Sequence, residues 1–237
     1  MAPESLKMLS DSLSFHYVFQ NATTAPSKLT ATQLKGRIKD LESSENTWNY
    51  QRSIIDFRKP SFIGEHTTAA GYGTTMHAVM QYLNFDACRN NEGIRMELIR
   101  IGEEQLISSE QLTLVNSRKI ETLFSSKIGN KMMECRHLLR EFKFSILDDG
   151  QNYGSDLQGE KILLQGVVDC ALIEDDGITV IDFKTDHVTE QTLTQITEKY
   201  ERQVITYVKA LQKIYQKPVK EAYLYFFSLD RFVAIQL

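Results

Sequence analysis

The stretch KILLQGVVDCALIEDDGITVIDFKTD, residues 161–186, limits the possible folds more than any other part of the chain. Two apolar runs flank an Asp-Asp-Gly turn, the pattern of an antiparallel β-hairpin. In the second arm, Thr179, Ile181 and Phe183 alternate with Val180, Asp182 and Lys184, so the strand has two unlike faces. The odd-numbered face is largely apolar and requires a core. The even-numbered face carries a carboxylate and an ammonium that emerge on the same side of the sheet. The turn leaves two registers open. A loop at Asp176-Gly177 sets Asp169 opposite Lys184 with Asp182 diagonal to it; a loop at Asp175-Asp176 sets Asp169 directly opposite Asp182. Either register puts Asp169, Asp182 and Lys184 on one face, with Cβ atoms roughly 5–8 Å apart. A three-residue loop would turn Asp169 to the other face.

Two carboxylates that close repel each other unless a proton or a cation sits between them. Oxygen ligands converging at that distance suit Mg²⁺ or Mn²⁺. A lysine beside such a cation can stabilise the negative charge that develops on a phosphate, which makes the group a toolkit for phosphodiester hydrolysis. The same three residues also read as an exposed cross-strand charge cluster of little energetic consequence. The hairpin alone leaves both readings open.

The rest of the chain frames this hairpin. Residues 1–29 have weak periodicity and read as a linker or extended arm, and a helix is expected in ATQLKGRIKDL, with Thr30 or Thr32 as its N-cap. Residues 43–70 look irregular. Met76, Val79, Met80 and Leu83 mark an amphipathic helix over 74–83, with His77 on its other face. From Glu92 to about Cys135 the pattern is a run of short helices with serine caps. REFKFSI then alternates Glu141 and Lys143 against Phe142 and Phe144 as a strand, and a long helix follows the hairpin through Ile196, Tyr200, Val204, Tyr207, Leu211 and Ile214. EAYLYFFSL and RFVAIQL supply the last strands.

With 237 residues, 42% of them hydrophobic and 24% charged, the chain can bury a sizeable core. Its net charge of −4 argues against gripping nucleic acid by bulk electrostatics, but clustered acidic ligands lower that figure until a cation binds. Cys88, Cys135 and Cys170 are odd in number and widely spaced, which implies a reducing compartment. No apolar run approaches the roughly 20 residues that span a bilayer, and MAPESLKMLS lacks the apolar core of a signal peptide. A cytoplasmic protein is expected.

GYGTTMH, REFKF, QGVVDC, VIDFKTD and a helix bearing QVITY occur in that order. The ordered set resembles the nuclease domain of the RecB family within the PD-(D/E)xK superfamily. It is most similar to the domain at the C-terminal end of the AddA-type chains of bacterial AddAB (RexAB) helicase–nucleases. SKLTATQLK, RKPSFI, KIETLFSSKIG and KEAYLYFFSLDRFVAI add weaker likeness, so the resemblance runs from about Lys28 onward. It implies a restriction-endonuclease-like α/β (mixed α+β) fold, a central mixed sheet flanked by helices. A helical part would span about 30–138, and a catalytic sheet and helix about 139–237.

Carried onto this sequence, the resemblance implies a metal site made by His77, Asp169, Asp182 and the backbone carbonyl of Phe183. Lys184 would be the catalytic lysine, and Glu141 an additional acid that holds metal or water. Gln203 and Tyr207 match a QxxxY motif that contacts the DNA strand or supports the site. Each has a plainer reading: His77 as a surface or capping residue, Glu141 paired with Arg140 or Lys143, Tyr207 as core. Gln203 resists that treatment, because an amide on an apolar helix face needs partners. Val168 stands where the superfamily name has proline, which removes no ligand.

Further expectations follow from the resemblance. The cofactor would be Mg²⁺, with Mn²⁺ an alternative. The four-cysteine pattern of iron–sulfur relatives is missing, so no iron–sulfur cluster is expected. GxxxxGK[ST] is missing too, so ATP would serve only a helicase part that this chain lacks. The chain would be a piece of a larger helicase–nuclease whose partner is of the AddB/RexB type. It would act as an exonuclease on single-stranded DNA from unwound duplex ends, cutting the 3′-ended strand during double-strand break repair by homologous recombination. The alternatives are a catalytically silent structural or interaction module and a stand-alone nuclease.

Overall fold

The computed structural model describes residues 23, 26–34 and 69–237. The helix expected in ATQLKGRIKDL and the irregular segment expected over 43–70 lie largely outside these residues. The described residues divide into two bodies, one of 23 and 26–30 with 145–165, the other of 31–34 and 69–144 with 166–237. The second body carries His77, Glu141, Asp169, Asp182, Phe183, Lys184, Gln203 and Tyr207.

In the first body, β1 (Lys28–Thr30) pairs in parallel with the opening residues of β3 (Lys161–Glu174), Leu29 opposite Leu164. The end of the expected arm is therefore strand, with Leu29 buried. Between β2 (Leu138–Asp149) and β3 the chain makes two short 3-10 turns, tied by Gly150 N–H to Glu160 O at 2.8 Å.

In the second body the hairpin forms from β3 and β4 (Gly177–Lys184), with Glu174 opposite Gly177 and Cys170 opposite Ile181. The loop is Asp175-Asp176, so of the two registers open in the sequence the molecule adopts the one that brings Asp169 level with Asp182. A long helix crosses from β4 to β5 (Val219–Phe226), which pairs with β4 in parallel, and β6 (Arg231–Ala234) returns antiparallel to β5. Among the described residues the sheet order is β1-β3-β4-β5-β6, with β2 also paired to β3.

Every residue of β4 is buried, Ile178, Val180, Ile181 and Phe183 together with the polar Thr179, Asp182 and Lys184. Ile181 and Phe183 pack with Cys170, Leu172, Tyr225 and Phe227 beneath a layer of helices. Each such fully buried Ile or Phe contributes roughly 1.5–3 kcal/mol. The layer comprises α1 (Ala69–Tyr82), α2 (Asn91–Glu103), α3 (Ser109–Leu112), α4 (Ser117–Ser125) and α5 (Lys127–Glu134). Met76, Val79 and Met80 of α1, and Leu83 just past its end, face this core. The helix starts at Ala69, well before Thr74, because apolar spacing marks only its packed portion. Ser108 and Ser126 cap α3 and α5 as the sequence indicates, whereas asparagines, Asn90 and Asn116, cap α2 and α4. The crossing helix, α6 (Leu193–Tyr215), packs against β4 and β5. Among the described residues no helix is long and apolar enough to cross a membrane.

Candidate active site

Helix α1 brings His77 to the end of the hairpin, and its neighbours fix it there. A Cβ on Gly73 would stand 2.9 Å from Thr185 Oγ1, so glycine lets the helix approach the chain just beyond Lys184. Two arginines grip the opposite end of α1. Arg100 Nη2 donates to Tyr82 O at 2.9 Å and to Glu97 Oε2 at 2.7 Å, and that same Glu97 oxygen accepts Asn84 N–H at 2.8 Å. Arg140 Nη1 donates to Leu83 O and lies 3.4 Å from Met80 O, its guanidinium 4.8 Å from the Phe85 ring centroid.

Glu141 follows Arg140 in β2 with φ of 48°, the left-handed region. In a regular strand residues 140 and 141 would point to opposite faces. Here both reach α1: Arg140 holds its terminal carbonyls, and Glu141 Oε1 lies 3.7 Å from His77 Nδ1.

His77 Nδ1 is also 3.5 Å from Asp169 Oδ1. The other oxygen of Asp169 accepts Phe183 N–H at 2.8 Å, so this carboxylate bridges β3 and β4 just past their last paired residues, Cys170 and Ile181. His77, Glu141 and Asp169 each offer a ligand atom, all within 4.8 Å of one another. Burial alone would lower the affinity of His77 for a proton. The Asp169 and Glu141 carboxylates outweigh burial and push its pKa up to about 10. Burial opposes ionisation of Asp169, but the His77 contact holds its carboxyl below the ordinary range.

Asp182 and Lys184 form a second, drier cluster. Asp182 is fully buried, and its Oδ2 contacts the Lys184 ammonium. Its Oδ1 has no hydrogen-bond partner among the described residues. Burial, reinforced by Asp169 and only partly offset by Lys184, raises the Asp182 pKa to about 7. Lys184 Nζ also lies 3.4 Å from Gln203 Oε1, and Gln203 Nε2 donates to Tyr207 OH at 2.6 Å. The buried amide on the apolar face of α6 thus uses both of its ends. Tyr207 meets Phe144 edge-on, and a Cβ on Gly166 would come within 2.6 Å of that Phe144 ring, so glycine is required beside it. A buried ion pair seldom stabilises a fold better than apolar residues of equal volume. Stability alone therefore does not account for the Asp182–Lys184 pair.

Three residues around the site are not singled out by sequence patterns: Arg140, Tyr200 and Asp186. Tyr200 reads as one more apolar position of α6, although it shares a face with Gln203 and Tyr207. Arg140 and Asp186 stand next to motif residues, and adjacency is the only signal they carry.

The donor set fits a divalent cation. One imidazole nitrogen and carboxylate oxygens can together coordinate a divalent cation, which would compete with the proton for the same His77 lone pair. The buried, unpartnered Asp182 Oδ1 is a further acceptor lacking a donor.

Residues 37–232 match the family model described as the PD-(D/E)XK nuclease superfamily. Over 230 residues the chain is 34% identical to the A-type subunit of the "ATP-dependent helicase/nuclease" of Clostridium botulinum (strain Loch Maree / Type A3), covering 94% of this chain and 18% of that protein. It is 34% identical over 232 residues to the protein of the same name from Thermoanaerobacter sp. (strain X514), covering 94% of this chain and 19% of that protein. The chain therefore spans about a fifth of the length of these curated relatives.

Proposed function

This chain belongs to the PD-(D/E)XK nuclease superfamily, and we propose that it hydrolyses phosphodiester bonds of single-stranded DNA as the nuclease part of a helicase–nuclease. The observation that carries the proposal is the convergence of His77, Glu141 and Asp169, distant in sequence, beside a buried Asp182–Lys184 pair. In this reading His77, Asp169, Asp182 and the Phe183 carbonyl hold the cation, Mg²⁺ or Mn²⁺, with Glu141 beside them. When bound, the cation supplies Lewis acidity toward a phosphate and acidifies water.

The chain's own groups do the rest. Lys184 presents a desolvated ammonium where negative charge grows on the non-bridging phosphate oxygens. Gln203 holds that ammonium through its carbonyl and is itself fixed by the Tyr207 hydroxyl. Asp169, anchored by the Phe183 N–H, keeps the two strands of the hairpin in fixed relation at the site. Substrate in the larger enzyme would be strand ends unwound by a helicase, in double-strand break repair by homologous recombination, alongside a partner of the AddB/RexB type. The names of the relatives support the helicase–nuclease context. A net charge of −4 agrees with a domain that relies on such a motor and on its cation to hold DNA.

The test is cleavage of end-labelled single-stranded DNA in Mg²⁺ or Mn²⁺. The chain should cut, and Asp182→Asn and Lys184→Met should each lose at least about 100-fold in rate while keeping the circular dichroism of the parent. Absence of cleavage by the unsubstituted chain, or full activity in either variant, would overturn the proposal.

A further inference from the structure

An ammonium has three N–H donors, and a buried one needs each of them occupied or covered. Asp182 and Gln203 account for two directions around Lys184 Nζ. The aromatic ring of Tyr200 covers another: Nζ stands 4.2 Å from its centroid. Tyr200 is 4% exposed, and its hydroxyl donates to Asp186 Oδ2 at 2.7 Å. Asp186 lies two residues beyond Lys184, so the ring is tied at one end to α6 and at the other to the chain that leaves β4.

We propose that Tyr200 is a positioning residue for Lys184: its π face seats the ammonium, and the hydrogen bond to Asp186 fixes the plane of the ring. The proposal rests on the reading of Lys184 as the group that stabilises charge on the phosphate. A lysine stem has four rotatable carbons and no preferred fork, so its ammonium is directed only by what surrounds it. The ring quadrupole attracts a cation without neutralising it. A second carboxylate in that position would bind the ammonium as a rival to the phosphate; an aromatic face leaves its charge available. Burial and Asp186 both raise the pKa of the Tyr200 hydroxyl, which therefore stays a donor.

The experiment uses the full chain, with ¹³C-labelled lysine, in four forms: unsubstituted, Tyr200→Phe, Tyr200→Leu and Asp186→Asn. Lys184 Hε protons, assigned by their loss in Lys184→Arg, should be shifted upfield by the ring current. That shift should persist in Tyr200→Phe and collapse in Tyr200→Leu. In cleavage assays at saturating Mn²⁺, kcat should fall about tenfold or more in Tyr200→Leu, on the scale of one lost cation–π contact. KM for DNA and Mn²⁺ affinity by calorimetry should stay within about twofold, because the ligands are untouched. Tyr200→Phe and Asp186→Asn should lose only about two- to fourfold, since they free the ring without removing it.

An unshifted Lys184 signal in the unsubstituted chain, a shift that survives Tyr200→Leu, or a Tyr200→Leu chain that cleaves at the parent rate would each overturn the proposal. If Tyr200→Leu does not fold, Asp186→Asn decides: a Lys184 Hε signal and kcat both indistinguishable from the parent would sink it. A parent chain that shows the ring-current shift and yet does not cleave would instead refute the nuclease reading, and with it any role for Tyr200 in hydrolysis.

Discussion

Glu141 combines a left-handed backbone with a carboxylate aimed at His77. For a residue with a Cβ this conformation costs about 1–2 kcal/mol, and such strain persists where the surroundings over-determine it. The alternation of REFKFSI identifies the strand but assigns residues 140 and 141 to opposite faces, because a binary pattern carries no information about φ. The conformation is testable by comparing two variants that both lose the carboxylate. In an ordinary strand interior, Ala is more stable than Gly by roughly 0.5–1 kcal/mol. At Glu141 the order should reverse, with Glu141→Gly more stable than Glu141→Ala by about 1 kcal/mol in thermal or urea unfolding. The usual order, Ala above Gly, would mean that the backbone at this position is extended.

At the scale of elements, the position of His77 depends on how α1 is held. Its C-terminal carbonyls are bound by Arg100 and Arg140, and Glu97 ties Arg100 to the Asn84 N–H. The Arg100 hydrogen bonds hold the Glu97 carboxyl below the usual range, against the opposing effect of burial. A lowered carboxyl pKa contributes stability that is present above the unfolded value and is lost as pH falls through the folded one. Glu97→Gln should therefore destabilise the chain by roughly 1.5–3 kcal/mol near neutrality. The gap to the parent should narrow as pH drops from about 5 toward 3. A gap independent of pH would show that Glu97 acts by shape alone. The hairpin was the most legible element, since its turn and its alternating strand both lie in one short stretch. Its register was not, because Asp175-Asp176 and Asp176-Gly177 are both acceptable loops by turn chemistry, and the molecule uses the first. Arg140 and Glu97 carry no pattern at all; they become informative only once α1, α2 and β2 pack together.

For the molecule as a whole, the site residues were legible as an order along the chain and not as a place. Residues 77, 141 and 169 meet because a helix, a strained strand and a hairpin converge, which no local signal records. Their convergence has a global thermodynamic signature. A ligand that binds only the folded state stabilises it by about 2.7 kcal/mol at a hundred times its Kd. Adding Mn²⁺ should raise the unfolding temperature, EDTA should reverse the rise, and His77→Ala should abolish most of it. An unfolding temperature indifferent to Mn²⁺ would remove the case for a cation bound by these residues.

The pairing of β4 with β5 slips by one position between Ile178–Val219 and Thr179–Glu221, leaving Lys220 unmatched. Beyond that slip, Tyr223 and Tyr225 run level with Ile181 and Phe183, and Leu224 and Phe226 with Asp182 and Lys184. Removing one amino acid here would invert that alignment for the remainder of the strand, turning the Tyr223 and Tyr225 phenols to the face of Asp182 and Leu224 and Phe226 to the face of Ile181 and Phe183. This short segment can thus tolerate changes of letter far more readily than a change in count, and natural variation within it should preserve its length.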